Sequence, residues 1–273
     1  MAFYADDFRW NIDYALGIQN QKIIVTSGRI RATICKMPSK SDRLFFDRRR
    51  EKMSRYKVIG FDLDGTLVNT LPDLTLVVNG MFSEHGLPTT TQETVLSWIG
   101  KGADIFFQNA VASTGKVFDA EQLSQMRASF DKYYATYVCE KSQLYPNVKS
   151  TLVALKEKGY TLVVITNKPT HLVEPVLTAF GIFELFSATL GGQSLPKIKP
   201  HPDPMFFICQ QFNITPHEML FVGDSENDVI ASKAAGCDVV GLTYGYNYNV
   251  PIAKAEPTFV ADDFADVLKI VEK

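Results

Sequence analysis

Two hydrophobic patterns alternate along the chain. Short, unbroken apolar runs fall at Lys57–Phe61, Tyr160–Thr166, Met219–Gly223 and Asp238–Thr243. Runs of this length, rich in β-branched residues, predict buried strands. Stretches with helical spacing lie between them. Thr151–Lys158 stops at Gly159, Pro204–Phe212 leads toward Met219, and Asp228–Ala235 stops at Gly236. A glycine just past the last periodic residue is a helix stop signal. Strands that are apolar throughout and alternate with helices predict an α/β fold, a parallel sheet covered on both faces. The chain closes with a helix over Phe264–Val271, for which Asp262 is the expected N-cap.

The segment between the first and second strands is far too long for a simple crossover. It carries helical spacing instead. Leu74, Val77, Val78 and Met81 recur at one such interval, as do Phe106, Phe107, Ala110 and Val111, and then Leu123, Met126 and Phe130. Residues 72–144 therefore read as an inserted helical domain, and 53–71 with 145–273 as the core around it. Residues 1–52 differ from both. They hold one strand-like run, Ile23–Thr26, and then a basic, broken stretch ending in Arg48–Arg50. They read as an extension, poorly ordered or dispensable, with Met53 as an alternative first residue.

Composition narrows the picture. The chain has 273 residues, 46% of them apolar, and a formal net charge of -2. This supplies an ordinary globular core and lacks the basic excess of a nucleic-acid binder. Cys35, Cys139, Cys209 and Cys237 are scattered, with no CxxC pair, and the four histidines form no metal-binding spacing. No apolar run is long enough to span a membrane, and the acidic start does not resemble a targeting signal, so the expected compartment is the cytoplasm. Nothing in the pattern sets an oligomeric state.

Ligands of an open parallel sheet collect at the carboxyl ends of its strands. Asp62, Asp64, Gly65 and Thr66 follow the first strand. Thr166, Asn167 and Lys168 follow the second, and Asp224, Ser225, Glu226, Asn227 and Asp228 follow the third. Carboxylates brought together there repel unless a cation joins them. Oxygen ligands without Cys or His point to Mg²⁺. Such a site suits phosphoryl transfer, with one carboxylate as nucleophile and another as acid and base. Gly65 permits the sharp turn after Asp64. Lys168 reads as solvated, Ser225 as a helix cap, and Asp228 either as a helix N-terminal residue or as part of the site.

DLDGTLVNT (Asp62–Thr70), ITNK (Ile165–Lys168), the lysine of IKPHPDP (Ile198–Pro204) and VGDSENDV (Val222–Val229) resemble, in order and spacing, the four motifs of the haloacid dehalogenase superfamily. The resemblance runs from Tyr56 to the C-terminus. It implies a Rossmann-like core with an α-helical cap. It also implies Asp62 as nucleophile and metal ligand, and Asp64 as general acid/base with its backbone carbonyl on the metal. Thr166 and Asn167 would hold the phosphoryl group and Lys199 would neutralise it, Lys197 being the nearby competitor. Asp224 would be the third protein ligand, and Asp228 would orient metal waters or the lysine. An aspartate at position 64 is what separates the phosphatases from the dehalogenases of this superfamily.

The segment Leu96–Ala103 (LSWIGKGA), with LYPNV, LGGQSLPKIKPHPDP and GLTYGYN, is similar to the phosphoglycolate phosphatase subgroup. That implies a small phosphorylated acid as substrate, hydrolysed to glycolate and phosphate. Lys101, between two glycines, is the candidate for the substrate carboxylate. The subgroup often has Asn there, and a turn with a solvated lysine is the competing reading. A sugar phosphomutase of the β-phosphoglucomutase kind, a broad or pyrophosphate phosphatase, and a phosphate-responsive binding protein stand as alternatives.

Overall fold

The computed structural model describes residues 54–248 and 250–273 in full, together with the backbone of two strands at 21–26 and 29–34. In chain order the strands are β1 (Gln21–Thr26), β2 (Arg29–Ile34), β3 (Val58–Phe61), β4 (Val68–Asn69), β5 (Gln143–Leu144), β6 (Thr161–Ile165), β7 (Ala188–Leu190), β8 (Met219–Gly223), β9 (Asp238–Leu242) and β10 (Phe259–Ala261). The main sheet runs β10-β9-β8-β3-β6-β7-β1-β2. Every neighbouring pair from β10 to β1 is parallel, and β2 closes the edge antiparallel to β1. The remaining calls on residues 1–52 lie outside the described residues.

The four strands expected from apolar runs occupy the middle of this sheet, with β3 between β8 and β6. Their side chains alternate between two cores. Ile59, Phe61, Leu162, Val164, Leu220 and Val222 enter one, and Val58, Val163, Ile165, Met219 and Phe221 enter the other. That two-sided burial is why these strands read as unbroken apolar runs. β2, β4, β5, β7 and β10 were not expected. β7 and β10 are three residues long and bear a half-exposed position, so neither writes a continuous hydrophobic run.

The helices are α1 (Leu71–Glu84), α2 (Gln92–Leu96), α3 (Ala103–Ser113), α4 (Ala120–Thr136), α5 (Val148–Glu157), α6 (Thr170–Ala179), α7 (Asp203–Gln211), α8 (Glu226–Ala235) and α9 (Val267–Ile270). α1 to α4 lie between β4 and β5, which pair antiparallel as Val68↔Leu144 and Asn69↔Gln143. The chain thus leaves the core and returns to it side by side. The buried Asp73 carboxylate reinforces that junction by accepting from Lys141 N (2.7 Å) and Ser142 N (3.0 Å). The inserted helices share a core of their own, built on Val77, Val78, Met81, Phe106, Phe107 and Phe130. At the C-terminus the expected cap is displaced by one residue. Asp263, not Asp262, accepts from Ala265 N and starts the final helical turns, whereas Asp262 receives the Thr243 hydroxyl.

Phe61 is fully buried and packs edge-on to Phe186 and tilted against Phe264. Phe61→Ala is expected to destabilise the protein by about 3–5 kcal/mol, read as a lowered midpoint in urea unfolding with little change of slope.

Candidate active site

The carboxyl ends of β3, β6 and β8 are neighbours because β3 pairs with both other strands. Asp62 follows β3, Thr166 follows β6, and Asp224 follows β8. The sheet alone therefore brings the three together. Carboxylate oxygens of Asp62, Asp224 and Asp228 lie within 4.8 Å of one another, and all three residues are buried.

One ammonium serves two of these acids. Lys199, 2% exposed, lies 3.0 Å from Asp62 Oδ1 and 2.7 Å from Asp228 Oδ1, and donates to the Ile165 carbonyl at 2.8 Å. Burial works to strip its proton, but Asp228 and Asp62 more than offset that and raise its pKa. The competitor Lys197 is exposed and sits beside His201. Asp228 touches both the helix start and the lysine. Its Oδ2 accepts from Ser225 N (3.0 Å) and Ser225 Oγ (2.8 Å), capping α8, while its Oδ1 holds Lys199.

Asp224 is held differently. Thr66 Oγ1 donates to Oδ1 and Tyr246 N to Oδ2, both at 2.6 Å. Among the described residues no ammonium or guanidinium pairs with it. Burial pushes its pKa well up, and the nearby Asp228 and Asp62 push it further. Two glycines make the space. A Cβ on Gly65 or on Gly245 would stand 2.4 Å from Asp224 Oδ2, and both have a left-handed backbone, at φ +92° and +99°. Asp62 is pushed up to about 6, chiefly by burial, with Lys199 pulling down and Asp228 pushing up; the Leu63 N–H also donates to its Oδ1. A buried acidic cluster with one partner too few is chemically fit for a divalent cation.

Asp64 is paired separately. Its carboxylate meets Lys168 Nζ at 3.1 and 3.3 Å. Lys168 is therefore not solvated as expected from sequence: its side chain is 3% exposed and its ammonium lies 5.1 Å from the centre of the Tyr134 ring. The physical reason is Asp64, whose charge outweighs the desolvation of the lysine and raises its pKa. Thr166 Oγ1 accepts from Lys168 N, which keeps the hydroxyl proton for a ligand. The Asn167 amide group donates to the carbonyls of Gly100 (2.9 Å) and Lys199 (2.7 Å). Its side chain thus ties the inserted helices to the core, leaving its backbone N–H as the group to face a ligand.

A cavity opens between core and insert. Asp62, Asp64, Thr166, Asn167 and Lys168 line the core side, and Ile99, Phe106 and Tyr134 line the insert side. Lys101 lies outside it. Its side chain is exposed and its ammonium stands 5.0 Å over the Tyr248 ring. Thr66, Tyr134, Gly245 and Tyr246 carry parts of the site that motif reading had left without roles. The GLTYGYN stretch was the available signal for the last two.

A family model described as haloacid dehalogenase-like hydrolase matches residues 59–242. The chain belongs to the haloacid dehalogenase-like hydrolases. It is 57% identical to a phosphoglycolate phosphatase of Pasteurella multocida over 224 residues, covering 81% of this chain and 100% of that one. A phosphoglycolate phosphatase of Yersinia pseudotuberculosis is 43% identical, with 81% and 95% covered. The 1.90 Å crystal structure of a predicted phosphoglycolate phosphatase from Haemophilus somnus 129pt superposes with a TM-score of 0.78 at 54% identity, covering 80% of this chain and 99% of that one. Among the described residues of this hydrolase, no helix is long and apolar enough to cross a membrane.

The raised pKa of Asp62 sets a sign for stability. A carboxyl that holds its proton more tightly when folded stabilises the fold at low pH, and that contribution is lost as pH rises through the folded value. Without divalent cations, melting temperature is expected to fall as pH rises from 4 through about 6. Millimolar Mg²⁺ is expected to remove most of that fall, as thermal unfolding across pH with and without EDTA will read out.

Proposed function

We propose that the protein is a magnesium-dependent phosphatase that hydrolyses 2-phosphoglycolate to glycolate and phosphate through an aspartyl-phosphate on Asp62. The observation that carries the reading is that Asp62, Asp64 and Thr166 face one cavity, with Lys199 bonded to Asp62 from behind. Similarity to the Pasteurella and Yersinia phosphatases supports the choice of substrate.

An Asp62 oxygen attacks phosphorus, and the bond from phosphorus to the glycolate oxygen breaks. The Asp64 carboxyl gives its proton to that leaving oxygen, then takes a proton from the water that attacks the aspartyl-phosphate. The phosphorus–oxygen bond to Asp62 breaks and phosphate departs. The Thr166 hydroxyl and the Asn167 backbone N–H donate to the phosphoryl oxygens, and Lys199 offsets their charge. Asp62, Asp224 and the Asp64 backbone carbonyl would hold the metal, and the oxygen-only donor set suits magnesium. When bound it polarises the phosphoryl group and screens the repulsion between Asp62 and the incoming anion. Asp228 keeps Lys199 in place. Residues 72–144 act as the cap that excludes water.

Asp62→Asn is expected to lower phosphate release from 2-phosphoglycolate by about a thousandfold or more without loss of the folded state by circular dichroism. Activity near that of the parent protein in this variant contradicts the mechanism. EDTA is expected to silence the enzyme and Mg²⁺ to restore it. In a panel with sugar phosphates, nucleotides and pyrophosphate, 2-phosphoglycolate is expected to have the highest kcat/KM. An isomerised sugar phosphate formed without phosphate release would point to the mutase instead.

A further inference from the structure

Two buried ammonium groups flank the cavity, and the mechanism uses one. Lys199 has its donors committed to Asp62, Asp228 and the Ile165 carbonyl. Lys168 differs in place rather than in number of partners: it lines the cavity itself, pairs with both Asp64 oxygens and bonds to the Tyr134 side chain, so an anion entering there would take over the donor now given to the tyrosine. On the insert side the walls include Leu74, Ile99, Ala103, Phe106 and Tyr134, of which only the tyrosine offers a polar side-chain group to the hydroxyl groups of a sugar. The cavity is therefore built for a short ligand that ends in an anion. A buried ammonium attracts such an anion more strongly than an exposed one, because solvent does not screen it.

We propose that Lys168, and not Lys101, receives the carboxylate of the substrate. The inference rests on the reading above, that the substrate is a short phosphorylated acid. Thr166, Asn167 and Lys168 are consecutive, so the donors for the phosphoryl group and the cation for the acid are neighbours on one loop. Lys101 is placed for another contact, over Tyr248 at the surface. Lys168 thus sets specificity from the core, beside the acid/base Asp64, while the inserted helices contribute shape.

The test compares kcat/KM for 2-phosphoglycolate and for ethyl phosphate, which lacks the carboxylate, in the parent protein and in Lys168→Met, Lys168→Arg and Lys101→Met. The ratio of the two values within one preparation is independent of how much enzyme is folded. Lys168→Met slows both substrates, since Asp64 also loses its partner, but the preference for the acid is expected to shrink by at least about tenfold, mostly through KM. Lys168→Arg is expected to keep part of that preference, and Lys101→Met nearly all of it. A preference that survives Lys168→Met intact, or that disappears in Lys101→Met, overturns the assignment of Lys168 alone. A parent protein that does not prefer the acid overturns both this inference and the substrate reading beneath it.

Discussion

The burial of carboxylates at one sheet edge is the constraint on which the rest of the structure depends. Asp62, Asp224 and Asp228 are withdrawn from water, and Asp64 nearly so, against the two ammonium groups of Lys199 and Lys168. A single unpaired buried charge is costly, so each acid has to be met by specific donors. Asp228 receives Ser225 and Lys199, Asp224 receives Thr66 and Tyr246, and Asp62 receives Leu63 N and Lys199. The cluster remains short of positive charge even so. That shortage is stored in the fold as a raised pKa on Asp62 and Asp224, and a divalent cation would relieve it.

The same constraint explains the local backbone. Asp224 fits between Gly65 and Gly245 because neither has a Cβ, and both hold a left-handed turn there. The chain on either side of those glycines supplies the donors that hold the carboxylate, Thr66 from one loop and Tyr246 from the other. Tyr246 then reaches outward. Its hydroxyl donates to Asn69 Oδ1 at 2.6 Å and accepts from Leu71 N at 2.9 Å, where the chain enters α1. The loop beside Asp224 and the start of the inserted helices are thereby one hydrogen-bonded unit. A second connection runs through the Gly100 carbonyl, which accepts from both Asn167 and Asn227.

Much of this was legible in the sequence, for physical reasons that can be named. The central strands were legible because they are buried on both faces, which writes unbroken apolar runs. The acids were legible because they follow those strands directly, where a parallel sheet gathers ligands. β7 and β10 were not, because three-residue strands with a half-exposed position leave no periodic trace. Lys168 was misread for a related reason. A lysine after a strand is usually solvated, and only its partner, Asp64, more than one hundred residues earlier in the chain, reverses that expectation. Lys101 was left between two readings, a contact for the substrate carboxylate and a turn with a solvated lysine. Flanking glycines mark a close approach of backbone, and here it is the Gly100 carbonyl that meets the core, while the side chain turns out over Tyr248.

The division of labour between the two parts of the molecule follows from these placements. Every charged group that lines the cavity belongs to the core, and the inserted helices add apolar walls and one tyrosine. A wall without charge discriminates by shape and by what it fails to solvate. Closed over an anionic ligand, it strengthens the interactions on the core side by excluding water. A ligand with several hydroxyl groups would lose hydration there with one tyrosine as the polar side chain to meet them, which disfavours it by the cost of each group left unsatisfied. Selectivity for a small acid therefore needs no recognition residue on the insert. It needs a core that carries its own cation for the acid, next to the donors for phosphate, and helices that close over them with few polar groups of their own.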